Sequence, residues 1–237
     1  MFKGICKSAI AVIIILLFFC ACSSSQTGGT ENVIAFINGV LIDGTGSAPV
    51  SNAEIIVQGN RILKAGKYNK SDIPTTAKIY DLKGAAILPG FINAHVHRAY
   101  NEENLQNWLN GGVTTVRDEA PMGAGDFLNE RDEFNKNPKN STIVSATPII
   151  TVPGGYGGAF INSPEDASKT VSDYIDKNTD IIKTSIEDYQ QARNWKMPTY
   201  EEFESIVKTA HSRREAKGRF SCFLPGFQYI KPRTVIG

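Results

Sequence analysis

The chain of 237 residues balances 25 Lys and Arg against 24 Asp and Glu, a formal net charge of +1 with its three His neutral. Nothing in that charge draws it to nucleic acid. Hydrophobic residues make up 41% and charged residues 21%, which excludes wholesale disorder and fibrous repeats and leaves enough chain for one domain with a core or two small ones. Lys3 and Lys7 come first, followed by the apolar run Ala9–Phe19, then Cys20-Ala21-Cys22 and the polar Ser23-Ser24-Ser25. The run is too short to cross a bilayer comfortably and its flanks are those of a secretory signal, so residues 1–21 are expected to be cleaved. Residues 22–32 then form a polar tether. Cys6 and Cys20 leave with the signal and Cys222 stands alone, which predicts no disulfide framework and no Cys-based metal site.

From Val33 to Ile87, short strand patterns alternate with turn signals. Ile34–Ile37 leads into Asn38-Gly39, Val40–Ile42 follows, and Asp43-Gly44-Thr45-Gly46 closes the pair. Ala53–Gln58 alternates, with Ile55 and Val57 on one face, and Gly59-Asn60 turns it into Arg61-Ile62-Leu63 as a hairpin. Lys78–Asp81 and Ala85–Leu88 supply two more strands. This is the pattern of a small all-β unit, assigned residues 33–85.

After Pro89 the rhythm changes. Phe91–His95 reads as a strand, Glu102–Asn110 as a helix closed by Gly111-Gly112, Val113–Asp118 as a strand and Phe127–Phe134 as a helix. Thr142–Thr151 reads as one strand entering the loop Pro153–Gly158. A helix runs from Ser163-Pro164 to about Asp176, with Pro at its first position. Ile181–Ile186 is a fourth strand. A further helix starts with Thr199 as N-cap and Glu202 as capping-box partner, and carries Phe203, Ile206, Val207 and Ala210 on one face. Strand and helix in alternation predict parallel βα units, four complete and a fifth begun near Arg219.

His95-Val96-His97 puts two imidazoles at i and i+2, on one side of a strand, where they can share a metal ion. By spacing alone the signal is weak, and either could be a satisfied structural histidine or a surface residue. The run Ala86–His97 resembles the first barrel strand of the amidohydrolase superfamily. Asn38–Gly46 and Gly59–Ile62 resemble that family's split β-sandwich, and Gly112–Asp118 its second barrel strand. The similarity covers about Val33 to Gly218 and is closest to the imidazolonepropionase-like and metal-dependent dipeptidase-like branch. It implies an α/β fold, a small β-sandwich followed by an incomplete (β/α)8 TIM-type barrel over 86–218. The junction at Ala21-Cys22 likewise resembles the lipobox of bacterial lipoproteins, implying a lipid on Cys22 and anchorage at the cell envelope; a plain secretory signal with incidental cysteines stays open.

The family resemblance implies that His95 and His97 bind a divalent ion, zinc by expectation. It also places Lys183 where many members carry a carbamylated Lys that bridges two ions. A Lys reaching solvent from a strand end is the alternative, and one branch uses a single ion without a Lys, so one or two ions stay open. The implied reaction is hydrolysis of an amide, cyclic amide or dipeptide carbon–nitrogen bond in a small-molecule substrate by a metal-activated hydroxide. No catalytic residue is identified. The family's later His ligands and its general-base Asp have no counterpart here, and His211 reads as a helix-surface residue. Asp118 and Glu187 are strand-end carboxylates that could be enlisted, Tyr156 is a candidate substrate contact, and Arg117 reads as ordering the barrel mouth.

After Arg213 the resemblance stops. Glu215–Tyr229 shows no strand alternation and no His, and residues 219–237 are read as a divergent tail. A codon shift within Arg219–Cys222 can spell a strand ending in His, so a frameshift is one expectation. The competing function is accordingly a truncated, inactive exported lipoprotein of the same family. A short binding lipoprotein is a third reading with no positive feature. A (β/α)8 barrel needs about 250 residues, and an open half barrel would expose strand edges, so self-association is expected.

Overall fold

A computed structural model describes residues 32–119, 121, 126–186, 189–190, 193–217 and 221–223. The expected signal segment, Cys22 and Glu187 lie outside them. The chain divides into two units, up to Leu88 and from Pro89 onward.

In the first unit, β1 (Val33–Leu41), β2 (Val50–Gln58), β3 (Arg61–Lys67), β4 (Lys78–Asp81) and β5 (Ala86–Ile87) make one mixed sheet in the order β3-β2-β1-β4, with β5 also on β1. The described residues of this unit form that single sheet and not two facing sheets. Asn38-Gly39, expected as a turn, is instead a bulge inside one continuous strand, with Asn38 at φ 61°. Gly39 gives Ile87 room to pack there, since a Cβ would come within 2.6 Å of Ile87 Cδ1 and oblige that side chain to shift. The bulge lets β1 change partners, from β4 at Ile34–Ile37 to β5 at Val40–Leu41. Ala86 and Ile87, expected to open the barrel, therefore complete the first unit.

Alternation along β2 separates two environments. Ala53 and Ile55 pack with Leu41, Phe36, Val50, Val57 and Ile87. Glu54, on the opposite face, is fully buried and pairs with Lys64 at 2.7 Å; Lys64 also reaches Asp72.

The second unit alternates β6 (Phe91–Val96), α1 (Glu102–Asn110), β7 (Val113–Asp118), α2 (Phe127–Phe134) and β8 (Thr142–Ser145). There follow β9 (Ile150–Thr151), β10 (Ala159–Phe160), α3 (Pro164–Asp176), β11 (Ile181–Lys183), β12 (Tyr189–Gln190), β13 (Arg193–Asn194), α4 (Tyr200–Lys217) and β14 (Ser221–Phe223). β6, β7 and β8 are parallel neighbours, a parallel bridge from Ala146 to Ile181 joins β8 to β11, and β14 lies parallel to β11. The five strands thus stand side by side in chain order with helices between them, the arrangement of consecutive barrel units.

Two expectations change here. The single strand over Thr142–Thr151 is broken into β8 and β9 around Pro148, which has no N–H to give a neighbouring strand. Ser221–Phe223, inside the stretch expected to be strandless, pairs with β11; a parallel ladder is made by backbone groups and needs no particular side-chain pattern.

The helices form where their end signals put them. Ser163 caps α3, its side chain accepting from Asp166 N at 3.2 Å. Thr199 and Glu202 close the capping box of α4 reciprocally at 2.8 and 3.2 Å. Val171 and Ile175 of α3 and Ile206 and Ala210 of α4 pack with Ile150 and Ile182. Leu105 and Trp108 of α1 pack with Val96, Val116 and Ile143.

Candidate active site

The outward residues of the strands locate the inward ones. Val96, Val116 and Ile182 lie in the clusters that contain the helices. Successive strand residues alternate, so His95 on β6, Arg117 on β7 and Lys183 on β11 belong to the other face, and His97 follows directly after β6. All of them lie at or near the C-terminal ends of parallel strands, the end where barrel sites form.

The two histidines converge, with Nε2 atoms 3.3 Å apart and rings edge to face, centroids 5.2 Å apart. Two imidazole nitrogens bound at about 2.0–2.1 Å to one tetrahedral ion are separated by about 3.3–3.4 Å. The separation of the pair therefore matches that of two nitrogens on one divalent ion. Desolvation, reinforced by the positive charges of Lys183 and then His97 and Arg117, lowers the pKa of His95 and favours the neutral ring that a metal needs. Among the described residues, no group of three or more His, Cys, Asp or Glu side chains is placed to hold a metal.

Lys183 is 7% exposed. Its backbone N–H donates to Thr147 Oγ1 at 3.0 Å, and its ammonium stands 3.8 Å from Glu119 Oε2. Burial lowers its pKa, against the opposing pull of Glu119 and Asp118. Arg117 Nε pairs with the other oxygen, Glu119 Oε1. Glu119 is fully buried, and burial raises its pKa while Arg117 and Lys183 draw it down. One carboxylate thus serves two buried cations. Sequence reasoning missed Glu119 in favour of Asp118. The available signal was its spacing from Arg117, two residues apart where an extended chain puts both on one face.

The other candidates fall elsewhere. Asp118 is buried, and its Oδ2 accepts the Ala99 N–H at 2.9 Å, tying the turn after His97 to the end of β7. His211 is exposed on α4. Tyr156 packs edge to face on Trp195, centroids 5.6 Å apart.

No family model matches the chain. It is 26% identical over 147 residues to the dihydroorotase of Clostridioides difficile, covering 58% of this chain and 34% of that protein. To the imidazolonepropionase of Streptomyces griseus it is 29% identical over 68 residues, 29% of this chain and 17% of that one. A crystal structure of a prolidase complexed with N-methylphosphonate-L-proline superposes with a TM-score of 0.65 at 18% identity, covering 81% of this chain and 56% of that chain. The chain thus spans about half of the solved structure and a third or less of the two curated relatives, and the structural likeness shows an α/β fold of the TIM-barrel kind. The similarity to these two curated enzymes agrees with the amidohydrolase resemblance read from the sequence, over part of their length.

Proposed function

We propose that the protein is a metal-dependent amidohydrolase that hydrolyses a carbon–nitrogen bond of a small amide, cyclic amide or dipeptide. The observation that carries this reading is the 3.3 Å convergence of His95 and His97 Nε2 on the inner face of the first barrel strand. His95 and His97 would hold a divalent ion, zinc by its preference for imidazole, and Lys183 is the residue able to serve a second ion once carbamylated. Such an ion supplies Lewis acidity and lowers the pKa of water. The chain's own residues prepare the place: partial desolvation and the nearby positive charges favour the unprotonated form of His95 and burial that of Lys183, Glu119 holds Lys183 and Arg117, and Asp118 fixes the turn after His97.

The test is metal stoichiometry together with hydrolysis of a panel of dipeptides, N-acyl amino acids and cyclic amides. Bound zinc with turnover, both lost in His95→Asn and His97→Asn, is the expected result; full hydrolysis by either variant overturns the reading. A second reading, a family member without turnover, is favoured by there being no group of three or more His, Cys, Asp or Glu side chains placed to hold a metal among the described residues. Zinc held without hydrolysis of any panel member selects it. We further propose export and anchoring through a lipid on Cys22, supported by the basic, apolar and small-residue run that precedes it. Incorporation of labelled fatty acid, abolished in Cys22→Ser, is the expected outcome, and unlabelled wild-type protein refutes it.

A further inference from the structure

Two loops at the C-terminal ends of the strands are locked to each other beside Lys183. One is Val152–Gly158, between β9 and β10; the other follows β13 and carries Trp195 and Lys196. The Lys196 N–H donates to the Gly154 carbonyl at 3.0 Å. Gly155 is pressed so closely that a Cβ would lie 2.1 Å from Thr151 Oγ1 and 2.6 Å from the Lys196 carbonyl oxygen. The Ser185 hydroxyl donates to the Tyr156 carbonyl at 2.6 Å, and the Ser185 N–H reaches the Ile150 carbonyl. Ser185 stands two residues beyond Lys183, so the loop is fastened to the strand end that carries the buried lysine.

The product of this clamp is the Tyr156–Trp195 pair, two half-buried rings held edge to face at 63°. Phe160 and Met197, close in chain to each ring, are 52% and 47% exposed. A fixed aromatic pair therefore sits on a loop that is fastened, through Ser185, two residues beyond Lys183. Rigid rings bind planar apolar groups with little loss of conformational freedom, and edge-to-face or offset stacking adds to area burial.

We infer that Tyr156 and Trp195 form a specificity wall that takes a planar, apolar acyl group of the amide substrate. The inference rests on the proposed amidohydrolase reading and narrows its substrate class to amides with an aromatic or similarly flat substituent. Its first test is binding, which needs no turnover. The chain has two tryptophans, Trp108 and Trp195, so the full chain with Trp108→Phe reports through Trp195 alone. N-benzoylglycine should saturate its fluorescence change at a concentration about ten-fold below N-acetylglycine. Tyr156→Ala should reduce that preference to within about two-fold, and Tyr156→Phe should restore it. With Trp108 intact, Trp195→Ala should raise KM for N-benzoylglycine about ten-fold and shift that for N-acetylglycine far less. Equal affinity for the two probes, no saturation with either, or a preference unchanged in Tyr156→Ala overturns the wall. Selective binding with no hydrolysis leaves the wall standing and refutes the reaction; hydrolysis without selectivity refutes the wall alone.

Discussion

Replacing Glu119 by Gln keeps the shape of the side chain and removes a negative charge that pairs with both Arg117 and Lys183. At an effective dielectric constant of about 20, charges 3.8 Å apart attract by about 4 kcal/mol. Most of that attraction offsets the desolvation of the ions, so the pair is not a net source of stability of that size. Removing one partner is different, because the remaining charges stay buried with their compensation reduced, and such deletions cost about 3–5 kcal/mol. Lys183 can limit its share by releasing a proton, since burial already lowers its pKa. Glu119→Gln is therefore expected to lose about 3–5 kcal/mol near neutral pH. In a cycle with Lys183→Met, the double variant should lose less than the sum of the singles by about 2–3 kcal/mol. Urea denaturation followed by tryptophan fluorescence is suited to the measurement, because Trp108 and Trp195 both belong to the unit that begins at Pro89. Additivity within about 0.5 kcal/mol would mean that Glu119 and Lys183 do not act on each other.

Arg131, 6% exposed, donates from Nη1 to Asp180 Oδ2 at 2.7 Å and to the Asn178 carbonyl at 2.9 Å, joining α2 to the segment before β11. Asp180 is partly exposed, so Arg131→Ala should cost about 2–3 kcal/mol by urea denaturation, below the range for fully buried pairs, and an unchanged midpoint would refute the linkage. Burial raises the pKa of Tyr100 and of Tyr174 above the ordinary 10.0. Above pH 10 the unfolded chain then loses protons that the folded chain keeps, so stability, fully present below that pH, falls by up to about 1.4 kcal/mol per pH unit for each group. Tyr100→Phe should flatten this alkaline slope, measured from denaturant midpoints between pH 9 and 11. Ile92 is 67% exposed on β6, whose edge away from β7 pairs with no strand among the described residues. Sedimentation should show concentration-dependent association that Ile92→Lys reduces, since an edge lysine resists strand pairing; a monomer at all concentrations would refute this.

Much of the second unit was legible because its signals are local. Ser163-Pro164, Thr199 with Glu202, and Gly111-Gly112 mark helix ends through hydrogen bonds made within a few residues. The i, i+2 spacing of His95 and His97 needs only an extended backbone to put both rings on one side. Misread features depended on partners distant in sequence. Asn38-Gly39 carries turn chemistry, yet pairing with β2, β4 and β5 converts it into a bulge. Glu119 looks like the end of an acidic strand terminus, and its importance comes from Lys183, whose neighbourhood is set by where β11 lies. Ser221–Phe223 becomes a strand because β11 offers it an edge.

Asp118 shows how a residue that resembles a catalytic carboxylate can act through geometry instead. Arg98, directly after the histidine pair, has φ 62°, a left-handed conformation that costs a non-glycine residue about 1–2 kcal/mol. The chain is held in it from both sides, by the Asn104 side chain donating to the Arg98 carbonyl at 3.3 Å and by the Ala99 N–H donating to Asp118 Oδ2 at 2.9 Å. Asp118→Ala removes the second tie and leaves the Ala99 amide without its acceptor, which should cost about 1–3 kcal/mol. Arg98 can then relax, His97 turns with it, and the 3.3 Å approach of the two Nε2 atoms opens. Zinc affinity should fall by about ten-fold or more, the range for losing a residue that orients a metal ligand. Asp118→Asn supplies the same acceptor oxygen without charge and should retain most of the stability and the zinc affinity. If Asn is as damaging as Ala, the charge of Asp118 and not its hydrogen bond is what the site uses, and the positioning argument fails.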